Sequence, residues 1–183
     1  MQIGIDTSCY TTSVSCVEGK SIVYDKRTVL SVRPGERGIR QSEGVFQHVR
    51  NLGAMLPELL AALPTGRIQC VAVASRPRTA PGSYMPVFLA GRTAAASVAA
   101  ALHVPLYEFS HQEGHIRAAL LGHEGMMEAP FLGMHISGGT TEIFRVEPGV
   151  RVGLLGGTTD LHAGQFIDRI GVAMGCPLSL IHI

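Results

Sequence analysis

His111 and His115 stand four residues apart in the stretch HQEGH, at the start of an apolar run, IRAALLG. On a helix, positions i and i+4 share a face, so the two imidazoles can converge on one cation. The same spacing also suits two solvated histidines at a helix start, and the pair alone leaves both readings open. Glu113 narrows the chemistry. In the zinc-protease pattern HExxH the glutamate directly follows the first histidine and activates the metal-bound water. Here it comes two residues after His111, about 200° around the helix, and is expected to face away from a shared ion. Peptide hydrolysis is therefore disfavoured.

A second candidate site is Ser137-Gly138-Gly139-Thr140. A turn of small residues presents backbone N–H groups and hydroxyls at close range, which is what a polyphosphate requires. Gly138-Gly139 also reads as an ordinary tight hairpin turn.

Several elements must carry these residues. The opening MQIGIDTSCYTTSVSCVEGKSIVYDKRTVL alternates apolar and polar positions and breaks at Glu18-Gly19-Lys20, which predicts three antiparallel strands. From about Glu43 to Leu63 the apolar residues Phe46, Val49, Leu52, Leu56 and Leu59 fall at helical spacing, and Pro57 predicts a kink or break. CVAVAS reads as a short buried strand, SRPRTAPGSYMP as a loop and the Ala-rich Val87–Leu102 as a close-packed helix. PLYEFS is a further strand that delivers the chain to HQEGH. Arg76 and Arg78 lie in the loop, where a solvated role outweighs contact with RNA phosphate.

IGIDTSCYTTSVSCV also aligns without a gap over LGMHISGGTTEIFRV, matching Gly4 with Gly133, Ser8 with Ser137, Thr12 with Thr141 and Val17 with Val146. Each copy leads into a third strand-like segment and then a helix. A duplicated meander plus helix follows, with the second copy starting near Phe131.

The 183 residues are 46% hydrophobic and 16% charged, enough apolar material for a real core and unlike a disordered tail. A net charge of +1 generates no global attraction to nucleic acid or anionic membrane, so an RNA partner would have to be held locally. Cys9, Cys16, Cys70 and Cys176 show no CxxC spacing and read as reduced, buried thiols. No charged-then-apolar leader opens the chain, and Arg92 interrupts the longest apolar run, so a cytoplasmic, non-membrane protein is expected.

GIDTSCYTTSVSCV, HQEGHIRAALL, HISGGTTEIFRV and TTDLHAGQFIDRIGVAMG occur here in the order and spacing of the TsaD family, formerly named glycoproteases, and the chain resembles that family up to about Gly175. The resemblance implies an α/β, actin-like, sugar-kinase-like ATPase fold made of duplicated RNase-H-like domains. These would occupy residues 1–130, carrying the metal helix, and 131–183, an incomplete second domain. It implies transfer of a threonylcarbamoyl group from threonylcarbamoyl-adenylate to the N6 amine of an adenosine next to the anticodon of tRNA. The cofactors implied are a divalent iron or zinc ion and threonylcarbamoyl-adenylate or ATP. His111 and His115 would be metal ligands, Ser137, Gly138 and Gly139 would line the phosphate or acyl-adenylate site, and Asp168 would meet the ribose. Partners would be tRNA and either a TsaB-type sister subunit or a second copy. The chain departs from the family where Tyr10 and Thr11 replace acidic residues, where APGSY is closer to TsaB, and where Leu161 and His162 replace Asp and Ala. A divergent paralogue is therefore expected, with a nonenzymatic subunit of the modification complex as the alternative. The second copy has only some fifty residues, and the terminal CPLSLIHI leaves the family pattern. Its last strands, and the family's remaining metal ligand, an Asp, are expected to be missing, exposing an apolar sheet edge and face that should make the isolated chain aggregation-prone or dependent on a partner.

Overall fold

The computed structural model describes residues 1–8, 10–32, 39–137 and 140–175. Cys9, Gly138, Gly139 and Cys176 lie outside the described residues. The chain divides into two compact units, Met1–His115 and Ile116–Ile183.

In the first unit, β1 (Gln2–Asp6), β2 (Thr11–Glu18) and β3 (Ser21–Val29) form the expected antiparallel meander. The strands β4 (Cys70–Arg76) and β5 (Leu106–Ser110) extend it in parallel with β1, giving the order β3-β2-β1-β4-β5. Alternation turns Ile3, Ile5, Val14 and Cys16 inward, where they meet Val71 and Val73 of β4. The helices α1 (Gln41–Ala62) and α2 (Val87–Leu102) cover this face, and Ala90, Ala95 and Ala99 let α2 pack closely.

The chain runs helically through Pro57, so of the kink or break expected there, the break does not occur. Leu52, Met55 and Leu56 before the proline and Leu59 after it are all buried, and this packing outweighs the one backbone hydrogen bond lost, a cost of about 3 kcal/mol. Phe46 and Val49, which share the predicted apolar period, are 61% and 56% exposed and lie off the covered stripe. Cys16 is buried and Cys70 half-buried, both as free thiols, and burial raises the pKa of each.

The second unit holds an antiparallel sheet of β6 (Phe131–Ile136), β7 (Thr141–Glu147) and β8 (Arg151–Gly157), followed by α4 (Ala163–Ala173). Its core joins Phe144, Val146 and Val150 to Ile116 and Leu120. The pairing reproduces the sequence repeat. Gln2 faces Val17 and Asp6 faces Ser13 in the first hairpin, while Phe131 faces Val146 and His135 faces Glu142 in the second, each pair at the aligned positions. Gly4 and Gly133 also correspond. A Cβ on Gly133 would stand 2.3 Å from the Phe144 ring, and one on Gly4 would stand 2.9 Å from Ser15 Oγ. Among the described residues no helix is long and apolar enough to cross a membrane.

Candidate functional site

The carboxyl ends of β1, β4 and β5 deliver the site of the first unit, the edge at which parallel sheets commonly hold ligands. β5 ends at Ser110 and α3 (His111–Ala119) begins at once. The Glu113 N–H donates to Ser110 Oγ at 3.1 Å, and the Ser110 N–H donates to Glu113 Oε2 at 2.6 Å. This reciprocal capping box satisfies two N–H groups at the helix start. Glu113 also lies 3.7 Å from the Arg76 guanidinium. Its carboxylate is thereby committed to the backbone and the end of β4, and Arg76, placed in the sequence's loop, is the last residue of that strand. The loop beyond is tied to the same helix start, with the Gln112 N–H donating to the Pro77 carbonyl at 3.1 Å.

His111 is half-buried and His115 exposed. Their Nε2 atoms are 2.8 Å apart and their ring centroids 4.2 Å apart, with the rings inclined at 77°. Two nitrogens bound tetrahedrally at zinc distances would be roughly 3.3 Å apart, so the rings need to separate by only about half an ångström to admit an ion. The donor set therefore fits a borderline metal such as zinc or iron. Among the described residues no group of three or more His, Cys, Asp or Glu side chains could hold a metal, so the pair would leave coordination positions open.

The sequence reading missed two neighbours of His111. Asp6, the last residue of β1, places Oδ2 2.8 Å from His111 Nδ1, while its Oδ1 accepts the Ser8 N–H at 2.6 Å. Burial raises the Asp6 pKa, but the hydrogen bond from His111 and the charge His111 carries when protonated, together with the Ser8 hydrogen bonds, outweigh it and leave the group below its ordinary value. Phe88, buried on the first turn of α2, meets the His111 ring edge-on at 6.3 Å. That turn is tied to the end of β1 through Thr7, whose hydroxyl donates to the Val87 carbonyl at 2.9 Å and accepts the Gly91 N–H at 3.1 Å. Ser110-x-x-Glu113 was a readable capping signal. Asp6 had none beyond its place at the end of a strand.

In the second unit, Ser137 follows β6, and Gly138 and Gly139 lie outside the described residues. The Ser137 N–H donates to the Thr140 carbonyl at 2.7 Å, and the Ser137 carbonyl accepts the Gly164 N–H at 3.1 Å. The Ala163 N–H donates to Thr141 Oγ1 at 2.8 Å. Ser137 and Thr141 are thus tied to the first residues of α4, and Asp168 stands one helical turn beyond Gly164, half-buried. The matching threonine of the first unit, Thr12, is also bonded to the following helix, through His48 Nδ1 at 2.8 Å and Asn51 Nδ2 at 3.0 Å. Tyr10 and Thr11 lie at the start of β2, where the Tyr10 carbonyl accepts the Leu30 N–H at 2.7 Å.

Residues 29–181 match the TsaD family, described as tRNA N6-adenosine threonylcarbamoyltransferase. The chain is 30% identical over 181 residues to the protein of that name from Syntrophobacter fumaroxidans, covering 96% of this chain and 52% of the relative. It is 31% identical over 181 residues to the one from Pelobacter propionicus, covering 96% and 51%. The chain spans about half the length of the curated relatives it matches. Among solved structures it is similar to YeaZ from Pseudomonas aeruginosa, with a TM-score of 0.51 and 16% identity over 88% of this chain and 67% of that one. It is also similar to the ethanolamine utilization protein EutJ from Carboxydothermus hydrogenoformans, with a TM-score of 0.52 and 18% identity over 98% and 58%. These likenesses carry the fold, which is actin-like as the sequence led us to expect. With the family match running through the HQEGH helix, the second hairpin and α4, this chain belongs to the TsaD family.

Proposed function

We propose that the chain acts in metal-dependent transfer of a threonylcarbamoyl group from threonylcarbamoyl-adenylate to the N6 amine of an adenosine beside the anticodon of tRNA. The observation that carries this reading is the convergence of two imidazole Nε2 atoms at the carboxyl edge of the parallel strands, in a chain of this family. A divalent iron or zinc ion held by His111 and His115 would supply Lewis acidity toward an oxygen of the threonylcarbamoyl group. The chain's own residues do the rest. Phe88 walls one side of His111, and Glu113 is bound to the helix start and takes no part as a base. The Ser137–Gly139 turn binds phosphate or acyl-adenylate, with ATP as the other nucleotide of that site, and Asp168 meets the ribose. Residues 1–130 form the first RNase-H-like domain of this arrangement, and 131–183 form part of the second. A TsaB-type sister subunit or a second copy is the protein partner, and the cytoplasm is the setting.

A second reading is a nonenzymatic subunit of the modification complex, favoured by Tyr10 and Thr11 standing where the family carries acidic residues. The deciding experiment supplies threonylcarbamoyl-adenylate, tRNA and a TsaB-type subunit, and follows the modified nucleoside by mass spectrometry. Product from the wild-type chain that disappears, together with bound metal, in the His111→Ala/His115→Ala double variant supports transfer. No product despite intact metal and adenylate binding supports the subunit.

A further inference from the structure

Asp6 and His111 are 105 positions apart in sequence, yet Asp6 Oδ2 lies 2.8 Å from His111 Nδ1. We propose that Asp6 is the positioning residue of the metal pair: it holds His111 in the Nδ1–H tautomer and so presents the Nε2 lone pair to the ion. This rests on the reading of His111 and His115 as metal ligands.

Asp6 is firmly placed. It ends the central strand β1, which is paired with β2 on one side and β4 on the other, and its Oδ1 accepts the Ser8 N–H at 2.6 Å. An ionised carboxylate only accepts hydrogen bonds, so the proton between the two groups belongs to His111 Nδ1. A neutral imidazole with its proton there keeps its lone pair on Nε2. That lone pair faces His115 Nε2 at 2.8 Å, the atom with which it would share the ion. Phe88 packs edge-on against the ring, and the capping box of α3 fixes the backbone that carries it. Asp6 is not itself suited to be a ligand, because both its oxygens are engaged and it meets His111 on the ring nitrogen opposite the converging pair. A carboxylate behind a metal-bound imidazole fixes the tautomer and raises the basicity of the ligand, and its loss typically weakens metal binding 10–100-fold.

The test uses the full chain with Zn2+ as the probe, measuring affinity by competition with a chromophoric chelator for wild type, Asp6→Asn, Asp6→Ala and His111→Ala. A second readout is the long-range 1H–15N spectrum of the imidazoles, recorded without added metal, which reports the tautomer directly. We expect both Asp6 variants to bind one ion roughly 10–100-fold more weakly, and wild-type His111 to show the Nδ1–H signature, lost in Asp6→Ala. Asp6→Ala within about twofold of wild type would overturn the assignment, because a supporting carboxylate carries a far larger effect. If His111→Ala nonetheless loses the ion, the ligand pair stands and only the role of Asp6 falls. If His111→Ala binds like wild type, the ligand reading fails and takes this inference with it. Should the Asp6 variants fail to fold, the wild-type spectrum still decides, since an Nε2–H signature at His111 is incompatible with the proposal.

Discussion

Glu113 and His111 sit two positions apart in one motif and do different work. The glutamate closes a capping box with Ser110 at 2.6 and 3.1 Å, so its removal acts on the helix. Glu113→Ala is expected to cost about 1 kcal/mol of stability in urea unfolding, the usual value of a lost cap, with metal stoichiometry unchanged. Loss of the ion instead would give Glu113 a chemical role. Asp6 behaves differently toward pH. Its folded pKa lies below the ordinary value, so the stability it contributes is present above the unfolded pKa and lost as pH falls through the folded one. Stability measured from neutrality downward should therefore drop on the acid side of about pH 4 in the wild type, and less steeply in Asp6→Asn. Parallel acid limbs for the two proteins would contradict this.

The repeated hairpin occurs in both units, and each copy carries a glycine at the same place, where a side chain would meet the facing strand. Gly133 faces Phe144 across the β6–β7 pair, and the ring occupies the space a Cβ would need. Gly133→Ala must push Phe144, a buried member of the second core, off its seat. A loss of roughly 1–3 kcal/mol is expected, within the usual range for overpacking, read by chemical denaturation. Gly4→Ala meets only the Ser15 hydroxyl, a smaller group on a half-buried side chain, and should cost less. Equal losses at the two sites would show that the close approach of Phe144 is not what requires the glycine. The threonines play matched parts as well. Thr12 bonds two side chains of α1 and Thr141 bonds the first N–H of α4, so each hairpin is fastened to the helix that follows it.

Across the whole molecule, the two units differ in how well their sheets are covered. In the first, α1 and α2 bury Ile3, Val14 and Val71 completely. In the second, Leu132, Met134 and Ile136 on β6 are 69%, 60% and 54% exposed, and Ile143 beside them on β7 is 42% exposed. Such an apolar sheet face is a site for association. Met134→Thr combined with Ile136→Thr, two β-compatible polar replacements, should lower light scattering and dye binding by the 183-residue chain without loss of β-sheet signal. Unchanged scattering would place the sticky surface elsewhere.

Strand alternation, the Val87–Leu102 helix, the gapless repeat and the HQEGH pair could all be read from neighbouring residues, because periods of two and 3.6 and an i,i+4 spacing are properties of contiguous chain. The actin-like fold and the family followed from four such motifs in order. Long-range packing decided the rest. Pro57 is tolerated because buried leucines on both sides of it hold the helix, and Phe46 and Val49 are exposed because the covered stripe of α1 is set by strands elsewhere in the chain. Asp6 came to light only in three dimensions. A carboxylate at the end of a strand announces no partner, and what joins it to His111 is the parallel alignment of β1, β4 and β5, which brings their carboxyl ends to one edge of the sheet.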